Sequence, residues 1–446
     1  MLQQVDVTRR LAHYVAVTRW EDVPSQVRHQ AKRSLINLFA VALAGCRTDA
    51  IDISLASLKE FSGGRQATLI GRTERIDALS AAFLNAAAAN VHDFCDTHLA
   101  TVIHPTAPVA PALLALSELR DVSGPDLLLA FTLGNEVQAR IGLAISPHHY
   151  DKGWHITSTC GVFGAAAGSG KLLGLDEHQL VSALGTASTQ SSGLCECLGW
   201  PAKSVSVGNA ARNGLWSALL AAKGFDGPAE PLAGRQGFYN AMGDTPDLSL
   251  VTKDLGESWE LMATSYKPYP CGFVIHPVLD CVLDWRRDHR PAEVTRVVVR
   301  GNPLLAHRTD RPEISTGRES QVSVQHAVAA ALVFGRAGIE EFADASVNDP
   351  RVLALRRKVE VVRDPSLSTI AAAVEITADG KVHQLSQSAA RGSDVNPLSD
   401  QDLEQKLRTV AASWDARHNI QPLIDAVWSL EKSADVSGLA ALVAPR

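Results

Sequence analysis

The densest group of side chains able to do chemistry lies in VHDFCDTHLATVIHP, which carries His92, Asp93, Asp96, Thr97, His98 and His104 and closes on Pro105. Carboxylates and imidazoles this close together suit either a metal ion or proton transfer. Metals ask for convergent ligands, such as histidines four apart on a helix, and His92 and His98 lack that spacing. Proton transfer near neutral pH suits imidazole. A plainer reading, a polar helix end whose Asp and Thr cap the next turn, stands level with the catalytic one on composition alone. If the alanine-rich helix before the segment runs on through it, Asp93 and Thr97 share a face.

Three more segments hold candidates. YDKGWHITSTCGVFG sets Trp154, His155, Thr157, Ser158 and Thr159 ahead of a helix expected to start near Gly161, and hydroxyls with backbone amides at a helix start suit an anion. A lone histidine is more often a buried one satisfied by a carbonyl, and the polar neighbours of His155 weigh against that. WPAKSVSVGNAARNG places Lys203 just before a helix of small residues. SYKPYPCGFVIHP brings Lys267 and His276 to an expected domain junction, where binding sites form. Tyr150, Tyr269 and His307 are secondary candidates, each also explicable as packing or surface.

Other patterns carry less. GVFGAAAGSGK (Gly161 to Lys171) has the wrong spacing for a phosphate loop and Leu172 where a hydroxyl would bind metal, so it reads as a close-packed helix. Neither a dinucleotide fingerprint nor a Gly-x-Ser-x-Gly nucleophile turn beside a strand occurs. The seven cysteines (Cys46, Cys95, Cys160, Cys195, Cys197, Cys271, Cys281) are scattered and odd in number, which predicts reduced, structural thiols. Cys195 and Cys197 bracket one residue, which fits neither a redox pair nor a zinc ligand pair.

The elements that must position these residues are mostly helical. Apolar residues recur at three and four from Pro24 to Gly45, and the theme repeats over Ser80–Val91, Ala110–Leu119, Leu127–Ile145, Gly161–Leu173, His178–Thr186 and Asn209–Lys223. After about Tyr266 the texture changes. Short β-rich runs appear at Val294–Arg300, Lys358–Asp364 and Ala371–Ile376, with a hairpin signal at Asp379-Gly380 before KVHQLSQS. Helices are expected between them at Val322–Phe334 and Asp349–Arg357, and helical pattern returns at Leu403–Ala412 and Ile420–Leu430. The expected fold is mainly α with an α+β second domain: a large helical domain built from residues 1–265 and 397–446, and a smaller α+β unit over 266–396 inserted between them.

A chain of 446 residues exceeds one ordinary core. A net charge of -6, with 20% charged and 46% hydrophobic residues, recruits neither nucleic acid nor an anionic membrane. The opening MLQQVDVTRRLAHYVAVTRWEDVP lacks the apolar run of a signal peptide, and no stretch is long and apolar enough to span a bilayer, so a cytoplasmic protein is expected.

Together, HDFCDTH followed by His104 and Pro105, GWHITSTCGVFGAAAGSGKLLGL, the stretch from Lys203 through GNAARNG, and YKPYPCGFVIHP resemble the MmgE/PrpD family, in order from about residue 30 to residue 430. That family includes 2-methylcitrate dehydratase, cis-aconitate decarboxylase and iminodisuccinate epimerase. The resemblance implies a homodimer, a small polycarboxylate substrate, a site at the junction of helical domain and lid, and neither metal, iron-sulfur cluster nor other cofactor. Carried across position by position, it assigns the active site to Asp93, Thr97, His104, His155, Lys203, Lys267 and His276. Two positions depart from the family pattern: Ser206 stands where a histidine is often found, and Cys95 where an acid is common.

The expected catalytic set is therefore Asp93, His104, His155, Lys203, Lys267 and His276. Thr97, Thr157, Ser158, Tyr269 and His307 are expected to contact substrate, with no metal ligand among them. Removing a proton beside a carboxylate creates an enediolate-like dianion, which fixed cations must stabilise. Dehydration, with His104 or His155 as acid and base, Asp93 orienting or abstracting and His276 in reserve, ranks first; epimerisation ranks second and decarboxylation third. A carboxylate-binding homologue without activity is the alternative from another class.

Overall fold

Small side chains set the architecture. The helix Ala78–Asn90 reads ALSAAFLNAAAAN, starts where the Asp77 carboxylate accepts from the Ser80 amide, and has so little bulk that neighbouring helices approach its backbone. A Cβ on Gly208 of helix Ala202–Ala222 would lie 2.8 Å from the Phe83 carbonyl oxygen. Gly164 of helix Ile156–Leu172 and Gly134 of helix Gly124–Leu143 face each other as closely, a Cβ on either falling 2.7 Å from the other's carbonyl oxygen. The glycines of GVFGAAAGSGK thus serve helix packing, as their spacing predicted.

The computed structural model describes residues 6–290 and 294–445. The first five residues of the opening stretch read above fall outside that range. One apolar core runs from Val7 to Leu261, takes in Tyr266 and resumes at Leu398 through Val443. A second, from Tyr269 to Ala378, belongs to a smaller unit with a mixed sheet. The sheet order is Val359–Arg363, Val294–Gly301, Ala372–Ala378, Lys381–Gln387; the first pair is parallel and the others antiparallel. Along Ala372–Ala378 burial alternates, so one face packs against helices His276–Asp288 and Val324–Phe334. Asp379 and Gly380 both adopt positive φ (51° and 69°), as a two-residue hairpin demands. Among the described residues no single helix is long and apolar enough to cross a membrane.

The structure corrects several boundaries. The alanine-rich helix stops at Asn90, and Asp93 sits in the left-handed region (φ 51°), so Asp93 and Thr97 do not share a helical face. The next helix begins at Thr106 rather than Ala110. That start is fixed by Asp96, whose carboxylate accepts from the Thr106 amide at 3.4 Å and from its hydroxyl. The helix expected from Gly161 begins at Ile156, which puts Thr157, Ser158 and Thr159 in its first turn and makes His155 its N-cap. Helices Val7–Val17 and Asp49–Lys59 were not anticipated.

Candidate active site

Asp93 is the centre of the polar cluster. Its Oδ1 accepts from Lys203 Nζ at 2.6 Å and its Oδ2 from Lys267 Nζ at 2.9 Å, and Lys267 also donates to the Asp93 carbonyl at 2.9 Å. That third bond pins the left-handed turn. The two lysines reach the same carboxylate by different routes. Lys203 stands at the start of helix Ala202–Ala222, whereas Lys267 follows a two-residue ladder in which Thr97 and His98 pair with Ser265 and Thr264. Burial alone would raise the Asp93 pKa, and the paired ammonium groups overcome that and hold it well below the usual carboxylate range.

His104 lies beside this triad, its Nε2 3.6 Å from Asp93 Oδ1. A bridge between His98 and Ile103 folds the chain back, so that His104 Nδ1 meets the Asp96 carbonyl at 2.8 Å and Thr97 Oγ1 at 3.2 Å. A carbonyl only accepts, so Nδ1 carries the proton and Nε2 presents its lone pair. Burial, then Lys267 and Lys203, keep the ring neutral by pushing its pKa well down.

His155 obeys the same logic. Its Nδ1 faces Ser206 Oγ at 3.1 Å and Ser158 Oγ at 3.4 Å. Both hydroxyls spend their own protons on carbonyls, Ser206 on Lys203 and Ser158 on His155 itself. Nδ1 must donate, leaving Nε2 unprotonated. Burial, helped by Lys203, pushes the ring down to about 3.

These groups line a cavity of about 710 Å³ between the helical domain and the smaller unit. Of the candidate site residues read from the sequence, Asp93, Thr97, His104, Tyr150, His155, Lys203, Lys267 and His307 line it, as does Cys195. The others stand behind the wall. His276 donates from Nε2 to the Cys271 carbonyl at 3.3 Å and is held between the Phe273 and Tyr269 rings, with Nδ1 buried and unpartnered. The Tyr269 hydroxyl donates to Asp280 at 2.8 Å. Thr157 Oγ1 accepts from the His104 amide at 3.1 Å, and Thr159 Oγ1 meets His149 Nε2 at 2.7 Å. His92 and His98 are tied to the Ala44 carbonyl and to Thr101 and Glu260.

Four cationic residues escaped the sequence reading. Arg308, Arg311 and Arg318 line the cavity from the smaller unit. Arg308 follows His307 directly on the helix Pro303–Thr309, so the run HRTDR held the signal. The fourth, Lys406, is buried on helix Asp400–Trp414 and donates to Asn37 Oδ1 at 2.8 Å and to the carbonyls of Phe94 at 2.8 Å and Lys267 at 2.9 Å. It clamps together the two segments that bear Asp93 and Lys267. Burial drives its pKa well down. Its signal was a lysine three after Leu403 and four before Val410, on the apolar stripe of the helix.

Among the described residues no three His, Cys, Asp or Glu side chains converge as a metal site would require.

Comparison with known proteins places this arrangement among relatives. Residues 9–251 match the MmgE/PrpD N-terminal domain and residues 269–431 the MmgE/PrpD C-terminal domain. Human cis-aconitate decarboxylase is 30% identical over 94% of this chain and 90% of its own length. A cis-aconitate decarboxylase-like protein, oryM, of Aspergillus oryzae is 29% identical over 98% of this chain and 97% of its own. The cis-aconitate decarboxylase of Aspergillus terreus is 27% identical over 98% of this chain and 96% of its own.

Proposed function

The chain belongs to the MmgE/PrpD family, and from that membership we propose that it is a lyase acting on a small unsaturated tricarboxylate of the cis-aconitate kind, which it decarboxylates. One observation carries the substrate class: five cationic side chains line the cavity against two carboxylates, Asp93 and Asp151. Such an excess of fixed positive charge suits a polyanion. The relatives above carry the names of cis-aconitate decarboxylases or, for oryM, of a decarboxylase-like protein, which moves decarboxylation ahead of the dehydration first expected.

The chemistry follows from the floor of the cavity. In a substrate whose CH2-carboxylate adjoins a carbon-carbon double bond, breaking the bond to the departing carboxylate releases carbon dioxide. The electron pair left behind spreads through the allyl system onto the carbon beside a remaining carboxylate, as an enediolate. Lys203 and Lys267 supply positive charge for it, and Asp93 fixes both in position. A proton is then delivered to that carbon from the Lys203 or Lys267 ammonium, which regains one from solvent, giving a methylene dicarboxylate.

A second reading rests on a different observation. His104 and His155 are neutral with Nε2 unprotonated, which suits proton abstraction and hence dehydration or epimerisation. The two share the enediolate and differ in the product. Purified protein incubated with cis-aconitate in heavy water should release carbon dioxide and give a five-carbon product carrying one deuterium at carbon. Exchange of deuterium into 2-methylcitrate or another hydroxy acid without loss of carbon would overturn decarboxylation in favour of proton abstraction. Binding with neither turnover nor exchange would leave a carboxylate-binding homologue.

A further inference from the structure

We infer that Arg308, Arg311 and Arg318 form a carboxylate-binding subsite on the roof of the cavity and require a substrate with carboxylates at both ends. The inference rests on the polycarboxylate reading above and gives it a second wall.

The two walls differ in how their charge is balanced. On the floor, Lys203 and Lys267 already grip Asp93. On the roof, none of the three guanidinium groups lies within 4 Å of a carboxylate among the described residues. What they do touch is neutral. Arg318 donates to the Trp200 carbonyl at 3.0 Å and to Gln321 Oε1 at 3.3 Å, and its Nε is buried with no acceptor at all. A buried donor without an acceptor is costly unless something else accepts from it.

Arg308 is held in place before any ligand arrives. Its guanidinium lies 4.1 Å from the centre of the Tyr150 ring, which comes from the helical domain. A guanidinium held over a ring face keeps its place while its N–H groups remain available to a carboxylate. Arg308 and Arg318 therefore each join the smaller unit to the helical domain, one through Tyr150 and the other through Trp200.

A ligand with one carboxylate engages one wall only. A di- or tricarboxylate long enough to span the cleft places one carboxylate against the fixed cations of the floor and another against the roof. Affinity then rises with the number of carboxylates, and the roof decides the rise.

The test measures melting temperature and isothermal binding for cis-aconitate, a saturated dicarboxylate and a monocarboxylate. The proteins compared are the wild-type chain, Arg308→Met, Arg308→Lys and Arg311→Met, the last at an exposed position where folding is safe. The wild type should bind in order of carboxylate number. Each Met variant should weaken the polycarboxylates by about 10- to 100-fold and narrow their advantage over the monocarboxylate, and Arg308→Lys should recover part of the loss. An unchanged order in folded Arg308→Met and Arg311→Met, or a wild type that binds the monocarboxylate as well as the tricarboxylate, would overturn the subsite. Failure of turnover with the binding order intact would sink the proposed reaction and leave the subsite standing.

Discussion

At Asp93 a single carboxylate keeps two buried ammonium groups within 2.6 Å and 2.9 Å of itself. Replacing it by Asn keeps the shape and removes the charge, so Lys203 and Lys267 would face each other without a counter-ion. We expect Asp93→Asn to lose about 100-fold or more in kcat and about 3 kcal/mol in stability, read from steady-state decarboxylation and urea denaturation. Ser206 calls for a subtler test. It accepts the Nδ1 proton of His155, so Ser206→Ala leaves that role to Ser158 at 3.4 Å and loosens the tautomer. Turnover should fall by about tenfold with a displaced pH–rate profile, and an unchanged profile would remove Ser206 from the mechanism. The residue types of the floor were legible in the sequence because polar clusters beside apolar helices stand out. The placement of His276 and Tyr269 behind the wall was not, because nothing in YKPYPCGFVIHP encodes which way each ring turns.

Among the elements, helix Asp400–Trp414 does the least expected work. Lys406 offers one ammonium to three acceptors, two of them carbonyls beside the site. Lys406→Met matches its length and removes the donor, stranding those acceptors in a buried place. We expect a loss of about 3 kcal/mol, measured as a lower urea midpoint at unchanged slope, together with a fall in kcat although the residue does not line the cavity. Helix positions were the most readable part of the sequence, since the three-four periodicity of Leu403, Leu407 and Val410 needs no tertiary knowledge. Helix starts were less so. Thr106 opens its helix because Asp96, ten residues earlier, reaches across a loop to cap it, and a local pattern cannot show a cap so far away. The end of the preceding helix at Asn90 was hidden likewise, because the tie from Lys267 that stabilises the Asp93 turn comes from a distant segment.

For the whole molecule, buried neutral histidines govern the response to acid. His92 and His326 are pushed down to about 4, His155 and His276 to about 3, and His104 well below its ordinary value, in each case chiefly by burial. An unfolded histidine titrates near 6.5, so below that the unfolded chain binds protons that the folded one refuses. Stability should be fully present above about pH 6.5 and fall steadily toward pH 4, at about 1.4 kcal/mol per pH unit for each such ring. Asp96 and Glu136, raised by burial to about 6 and about 7, work the other way and soften the slope. Melting curves at intervals between pH 7 and pH 4.5 check the sign, and a rising melting temperature on acidification would refute it.

The clamp at Lys406 also bears on the order of events during synthesis. Asp93, Lys203 and Lys267 are made early, yet the ammonium that holds the Phe94 and Lys267 backbones together arrives on the last long helix. A nascent chain that has emerged only through its sheet has every group of the pocket and no clasp across it. The clasp across the pocket therefore closes only once the returning helix docks, after every group it holds in place has been made.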